Sequence, residues 1–358
     1  MTQAVTRPRQ VDQKPLRIPG DRLQKVLDNL VERKRFQHAT LAAEATDGSV
    51  SWNGTAGTAY ADGTPMSPDI PYFIASIDKL YTATAILKLC EQGRLSLDAP
   101  LSAVLPPELT DRIHVKGGVD YSDRITVGHL LSHTSGLADY LEDRPRGGKS
   151  LIARLIEGGE DRQLNVVTAM STVREDLAPH FPPQDPESER SKVRYSDTNY
   201  LLLIAIIEAL YKRALHEVVT ELIFAPVCMR QTYFLDVSEP LVPTREPATL
   251  WSGTRALDLP QIFVSLRSVY STLGDLALSA ARNLGLIERN TTPTEPLVTL
   301  ERTFRSHAVC SRYWFADFEG ALIRLGKGWC RRERHATCPM REYCPYFQSW
   351  SNVDNQMR

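Results

Sequence analysis

Apolar and polar positions alternate along this chain with two different periods. Leu23, Val26, Leu27, Leu30 and Val31 recur at helical spacing, which predicts an amphipathic helix over Asp21–Arg35. Residues 39–45 and 49–60 read as two strands around Asp47-Gly48, a hairpin signal. The short apolar run Tyr72-Phe73-Ile74-Ala75 then leads into Leu80, Ala83, Ile86, Leu87 and Cys90. That spacing predicts a core helix ending at Gly93. Pro106-Pro107 and Gly117-Gly118 mark loops, as do the polar residues 144–149 and the Pro- and charge-rich residues 181–194. Helices are expected over 199–211 and 216–224. Residues 262–270 read as a strand or a buried segment, and residues 275–283 as a helix capped by Ser271 or Thr272. No internal repeat is visible.

Composition narrows the class. With 358 residues, 42% of them hydrophobic, the chain can build a large core or two lobes. A net charge of −1 gives no global attraction to nucleic acid or an anionic membrane. The one arginine-dense stretch, Arg331-Arg332-Glu333-Arg334, reads as solvated surface. Residues 1–20 form a polar arm expected to be disordered, without the apolar core of a secretion signal. The apolar run over 201–210 is too short to span a bilayer. These features predict a cytoplasmic protein with reduced cysteines.

Ser76-Ile77-Asp78-Lys79 places a hydroxyl and an amine one helical turn apart. A serine is a weak nucleophile until a neighbouring base takes its proton. A position at a helix start also favours a developing oxyanion. Alone, such a pair describes an exposed helix face as readily as an active site. Here it stands at the mouth of a predicted core helix, and Tyr195-Ser196-Asp197 supplies a phenol and a carboxylate from far along the chain. His129 and His133 have the spacing of a helical zinc pair, but Leu130 follows His129 where a zinc protease has glutamate. They read as core or turn histidines. Cys330, His335, Cys338 and Cys344 match no zinc spacing.

Several segments together resemble the serine beta-lactamase-related family. That group contains class C beta-lactamases, D-Ala-D-Ala carboxypeptidases, D-aminopeptidases and family VIII-type esterases. Phe73-Ile74-Ala75-Ser76-Ile77-Asp78-Lys79 resembles its nucleophile segment, and residues 93–100 resemble the turn that follows. Residues 125–137, ending Leu130-Leu131-Ser132-His133-Thr134-Ser135-Gly136-Leu137, resemble a structural stretch. Tyr195-Ser196-Asp197-Thr198-Asn199-Tyr200 resembles the second catalytic motif, and residues 271–277 a late segment. The resemblance covers roughly residues 38–285.

It implies a beta-lactamase/transpeptidase-like α/β (α+β) fold: an antiparallel sheet flanked by helices, plus a mostly helical lobe, with the site in the cleft between them. It implies a serine hydrolase domain over 21–285 that acts through an acyl-enzyme. Ser76 is the implied nucleophile, Lys79 and Tyr195 the base system, and Asp197 the orienting group. Asp197 stands where many members carry asparagine, and a carboxylate only accepts hydrogen bonds. It should pair with Lys79 and favour small ester or amide substrates over penicillins. No metal or organic cofactor is implied, and no nucleic-acid or membrane partner. The alternatives are a beta-lactamase or D-Ala-D-Ala carboxypeptidase, and an impaired member of the family. The last arises because the late K-T-G or H-x-G motif has no convincing copy; Gly326-Lys327-Gly328 is the nearest. Residues 286–358 are read as atypical, whether diverged, truncated or frame-altered. Two smaller departures are Cys228 and Gln184, each where the family often has glycine. Both are tolerable if the backbone there avoids positive φ.

Overall fold

A computed structural model describes residues 20–277, apart from 34–35, 45–50, 187 and 189. The N-terminal arm, the Asp47-Gly48 turn, the late cysteines, Gly326-Lys327-Gly328 and the 286–358 segment lie outside the described residues.

The amphipathic pattern near the N-terminus forms α1 (Gly20–Glu32), shorter at its C-terminal end than its apolar period suggests. Of its apolar face only Leu27 is buried, while Val26 and Leu30 remain exposed. α1 packs on an antiparallel pair, β1 (His38–Glu44) and β2 (Ser51–Gly57). Their register runs from His38 opposite Gly57 to Glu44 opposite Ser51. A second antiparallel sheet joins β3 (Tyr72–Phe73), β4 (Tyr233–Phe234) and β5 (Val269–Ser271), with β5 in the middle. Residues 262–270 therefore divide: Pro260–Ser265 is a short helix, and the strand begins at Val269. Proline at its first position suits a helix start, since no N–H is needed there. The helical turn starting at Leu273 is capped by Thr272, whose hydroxyl accepts from Asp275 N at 3.4 Å. Asp275 in turn accepts from Gln231 N and Thr232 Oγ1, both at 2.8 Å, tying that turn to the start of β4.

Two helices form the centre of the molecule. α2 (Lys79–Glu91) follows a tight turn at Ala75–Asp78 and ends as the sequence predicts. Gly93 takes φ +67, Gly93 N donates to Cys90 O, and Arg94 N donates to Leu89 O. That pattern is a Schellman cap, which needs a residue tolerant of the left-handed region. α3 (Asp197–Tyr211) buries Leu201, Leu202, Leu203, Ile206 and Ile207 against α2. Tyr81 of α2 meets Phe224 edge-on at 5.0 Å, a favoured aromatic geometry. The predicted helix over 216–224 is α-helical only over Leu215–Val219 and continues as a wider turn over Thr220–Phe224.

The two substituted glycine positions behave differently. Gln184 avoids positive φ and donates through its backbone N to Thr134 O, as tolerance requires. Cys228 takes φ +60, so the condition for tolerance fails there. The turn still asks for the glycine-like conformation, at a cost of about 1–2 kcal/mol for a residue with a Cβ.

Candidate active site

Ser76 lies in the turn that feeds α2, just after Ala75, whose φ is +48. Left-handed backbone at a non-glycine residue is uncommon and clusters at functional sites. Ile74 N donates to Val269 O at 3.1 Å, anchoring the turn to the central strand. Ser76 thus sits at a sharp strand-to-helix corner held on both sides.

The four residues singled out in the sequence meet there. Ser76 Oγ is 2.7 Å from Tyr195 Oη, and Lys79 Nζ donates to Ser76 Oγ at 3.2 Å. Lys79 Nζ is 2.7 Å from Asp197 Oδ1, and Tyr195 Oη donates to the same oxygen at 3.3 Å. Lys79 is 8% exposed, which rules out a surface lysine. Its ammonium also lies 5.3 Å from the Tyr195 ring centre and 5.7 Å from that of Tyr200, within cation–π range.

Electrostatics decide which groups carry protons at rest. Burial pulls the Lys79 ammonium down, but Asp197, then Asp78 and Tyr195, pull harder, and the net result lies well above the ordinary lysine value. Burial pushes the Tyr195 phenol up; Lys79 opposes this, Asp197 adds to it, and the phenol ends well above its usual range. At Tyr195 burial outweighs the pull of the neighbouring ammonium. Tyr195 as a residue is 38% exposed, yet its hydroxyl end is the part bonded to Ser76 and Asp197.

Three further groups surround this set: Asp78 and Asp139, not singled out from sequence, and His133, which reads there as a core or turn histidine. Asp78 lies between Ser76 and Lys79; burial, with Asp197 adding, pushes it up to about 6 against the pull of Lys79. Asp139 is 2% exposed and accepts from Asp197 N at 3.1 Å and Leu141 N at 2.9 Å. Burial and the Asp197 carboxylate raise it to about 7 despite those donors. Its one sequence signal is an acid inside the apolar run Leu137–Tyr140. His133 is buried, with Nδ1 accepting from Ser196 N and Asn199 Nδ2. His129 instead caps a helical turn, its Nδ1 bonded to Thr126 N and Oγ1. The two histidines serve different partners. Among the described residues, no group of three or more His, Cys, Asp or Glu side chains is placed to hold a metal ion.

These groups open onto a cavity of about 430 Å³. Ser76, Asp78, Lys79, Tyr195 and Asp197 line one side, Phe73, Phe234, Phe263 and Val269 give it apolar walls, and Glu142 lies at its surface. The volume suits a small ligand. No helix among the described residues is long and apolar enough to cross a membrane.

A serine at a strand-to-helix corner beside a buried lysine, a two-helix core and small antiparallel sheets define a class, and sequence comparison agrees with it. The chain matches the Beta-lactamase family over residues 23–334 and belongs to that family. It is 35% identical over 124 residues to Esterase EstB of Burkholderia gladioli, covering 34% of this chain and 29% of the esterase. It is 29% identical over 213 residues to Penicillin-binding protein 4* of Bacillus subtilis, covering 59% of this chain and 40% of that protein. The chain spans less than half the length of these curated relatives. Among solved structures, a D-stereospecific amidohydrolase from Streptomyces sp. superimposes with a TM-score of 0.57 at 25% identity, covering 77% of this chain and 75% of that one. The fold is the beta-lactamase/transpeptidase-like arrangement.

Proposed function

We propose that this chain is a serine hydrolase that cleaves a small ester or amide through an acyl-enzyme on Ser76. The observation that carries the reading is the closed set of contacts joining Ser76, Lys79, Tyr195 and Asp197. A nucleophile within hydrogen-bond reach of its base, and a base oriented by a third group, is the arrangement such chemistry needs.

Both Lys79 and Tyr195 rest protonated, so neither is a free base waiting beside the serine. In this reading Ser76 Oγ attacks the carbonyl carbon as its proton passes to Tyr195 Oη. The phenolic proton moves at the same time to Asp197 Oδ1. Lys79 remains an ammonium and stabilises the negative charge that develops along this path. Collapse of the tetrahedral intermediate breaks the bond to the leaving group, which takes its proton from Tyr195. Asp197 returns its proton to the phenol. Water then repeats the sequence as the nucleophile and releases the acid. An asparagine at 197 has no basic oxygen to receive the proton, so this route depends on the carboxylate.

The charge of the cleft supports an ester or amide without its own carboxylate. Asp197 and Asp78 lie about the Lys79 ammonium, the other cation lining the cavity, Arg267, is already paired with Glu208, and like charges in a partly buried site repel strongly. A penicillin or a peptide C-terminus brings another anion. The second reading, a penicillin-interacting enzyme, draws on the likeness to Penicillin-binding protein 4*. Asp197→Asn separates the two. We expect it to lower ester turnover about 100-fold or more and to lower the ratio of ester hydrolysis to penicillin acylation. An unchanged ratio contradicts the assigned role of the carboxylate.

A further inference from the structure

We propose that His133 is a positioning residue for Tyr195, acting as a template on which the Arg194–Ser196 segment is laid. The inference rests on the reading that Tyr195 serves Ser76. Three separate contacts join His133 to three consecutive residues. Its backbone oxygen accepts from Arg194 N at 2.9 Å. Its ring lies 4.6 Å from the Tyr195 ring, inclined by 30°. Its Nδ1 accepts from Ser196 N at 3.2 Å. The opposite side of the arrangement is held by α3, because Asn199 Nδ2 donates to Nδ1 at 2.9 Å and the Tyr200 ring stacks at 5.2 Å.

The tautomer follows from the donors. Ser196 N is a backbone N–H and cannot accept. The Asn199 amide is oriented by Ser135 Oγ, which donates to Asn199 Oδ1 at 2.7 Å, leaving the NH2 to face His133. Nδ1 must therefore be the bare nitrogen, and the proton sits on Nε2. Nε2 is buried without a hydrogen-bond partner among the described residues. Leaving a buried donor unpaired is costly, and His133 also holds φ +54. A histidine chosen for packing alone has no need of either cost. Both become intelligible if the ring must lie flat along Tyr195 with Nδ1 aimed at Ser196. Imidazolium would set an N–H against the Ser196 N–H. Burial and the Lys79 charge add to this and push His133 down to about 3, so the template persists across the working range of pH.

Two variants separate the contacts. His133→Asn keeps an acceptor near the Nδ1 position and tolerates positive φ, but removes the ring. His133→Phe keeps a ring and removes the acceptor. Leu27→Ala, a core change in α1, which contributes no residue to the cavity lining, serves as a control for general destabilisation. The protein carries 3-fluorotyrosine at 195, and its 19F resonance is compared across the full-length variants alongside ester kinetics. We expect one sharp Tyr195 resonance in the parent and in Leu27→Ala. Displaced or multiple resonances are expected in His133→Phe, with a smaller change in His133→Asn. A displacement near 1 Å can cost about 100-fold in rate. We therefore expect kcat to fall about 100-fold in His133→Phe and about tenfold in His133→Asn, with KM within about twofold. Exchanging the ring at 133 shifts the signal by its own ring current, so folded variants that keep one sharp Tyr195 resonance and a kcat within about twofold of the parent overturn the proposal. If His133→Phe does not fold, His133→Asn decides. A parent that shows no ester turnover counts against the hydrolase reading, while the resonance still tests the template.

Discussion

Lys79 is the residue on which the charges of the site converge. It touches Ser76 and Asp197 and lies against two tyrosine rings. Removing it should leave Asp197 buried beside Asp78 and Asp139 with no cation. A buried charge stripped of its partner is costly, often about 3–5 kcal/mol. Lys79→Met is expected to abolish ester turnover and also lower stability, which a urea titration will show. The same carboxylates set a pH dependence. Asp78 and Asp139 have folded values of about 6 and about 7 against 3.8 for the free side chain. At these two carboxylates the folded state binds more protons than the unfolded state between about pH 4 and 7, so their contribution to stability falls as pH rises through that window. Histidines whose values burial lowers, His133 among them, contribute in the opposite direction, so the carboxylate contribution is read as a difference between variants. We expect the urea midpoint of Asp139→Asn to gain more, or lose less, than that of the parent between pH 5.5 and pH 7.5. The same pH dependence in both proteins contradicts the assigned carboxylate environment.

At the scale of elements, periodicity in the sequence carried most of the fold. The apolar spacing over Leu80–Cys90 and the glycine at 93 specify α2 and its end, because helix period and cap chemistry are local. The strand pair β1–β2 was equally legible from alternation and turn residues. Residues 262–270 were ambiguous because a short apolar run has no distinguishing period, and they hold both a helix and a strand. Within the site, motif resemblance rather than spacing alone brings forward Ser76, Lys79, Tyr195 and Asp197, and the structure places them together. Asp139 is not singled out in the sequence and His133 reads there only as a core or turn histidine, because their contacts are with residues about 60 positions away. Turn strain is the testable part. A Cβ on Gly136 would lie 1.9 Å from Phe181 O, at φ +72, so Gly136→Ala is expected to destabilise by about 2 kcal/mol or more. At Cys228, with φ +60, Cys228→Val is expected to be less stable than Cys228→Gly by about 1–2 kcal/mol. Denaturant titration of the variants measures both.

Among the described residues, the larger of two apolar clusters joins α2, α3 and the central sheet, and the cavity opens beside it. The Beta-lactamase match runs to residue 334, beyond the 285 boundary drawn from motif resemblance. The proposed chemistry uses only protein side chains, so treatment with a chelator is expected to leave ester turnover unchanged. The most direct test is covalent labelling by a fluorophosphonate, read as intact mass on the full chain and on Ser76→Ala. The account predicts a single adduct on the parent protein and none on Ser76→Ala. A folded parent that takes up no adduct, or a Ser76→Ala variant labelled equally well, contradicts it.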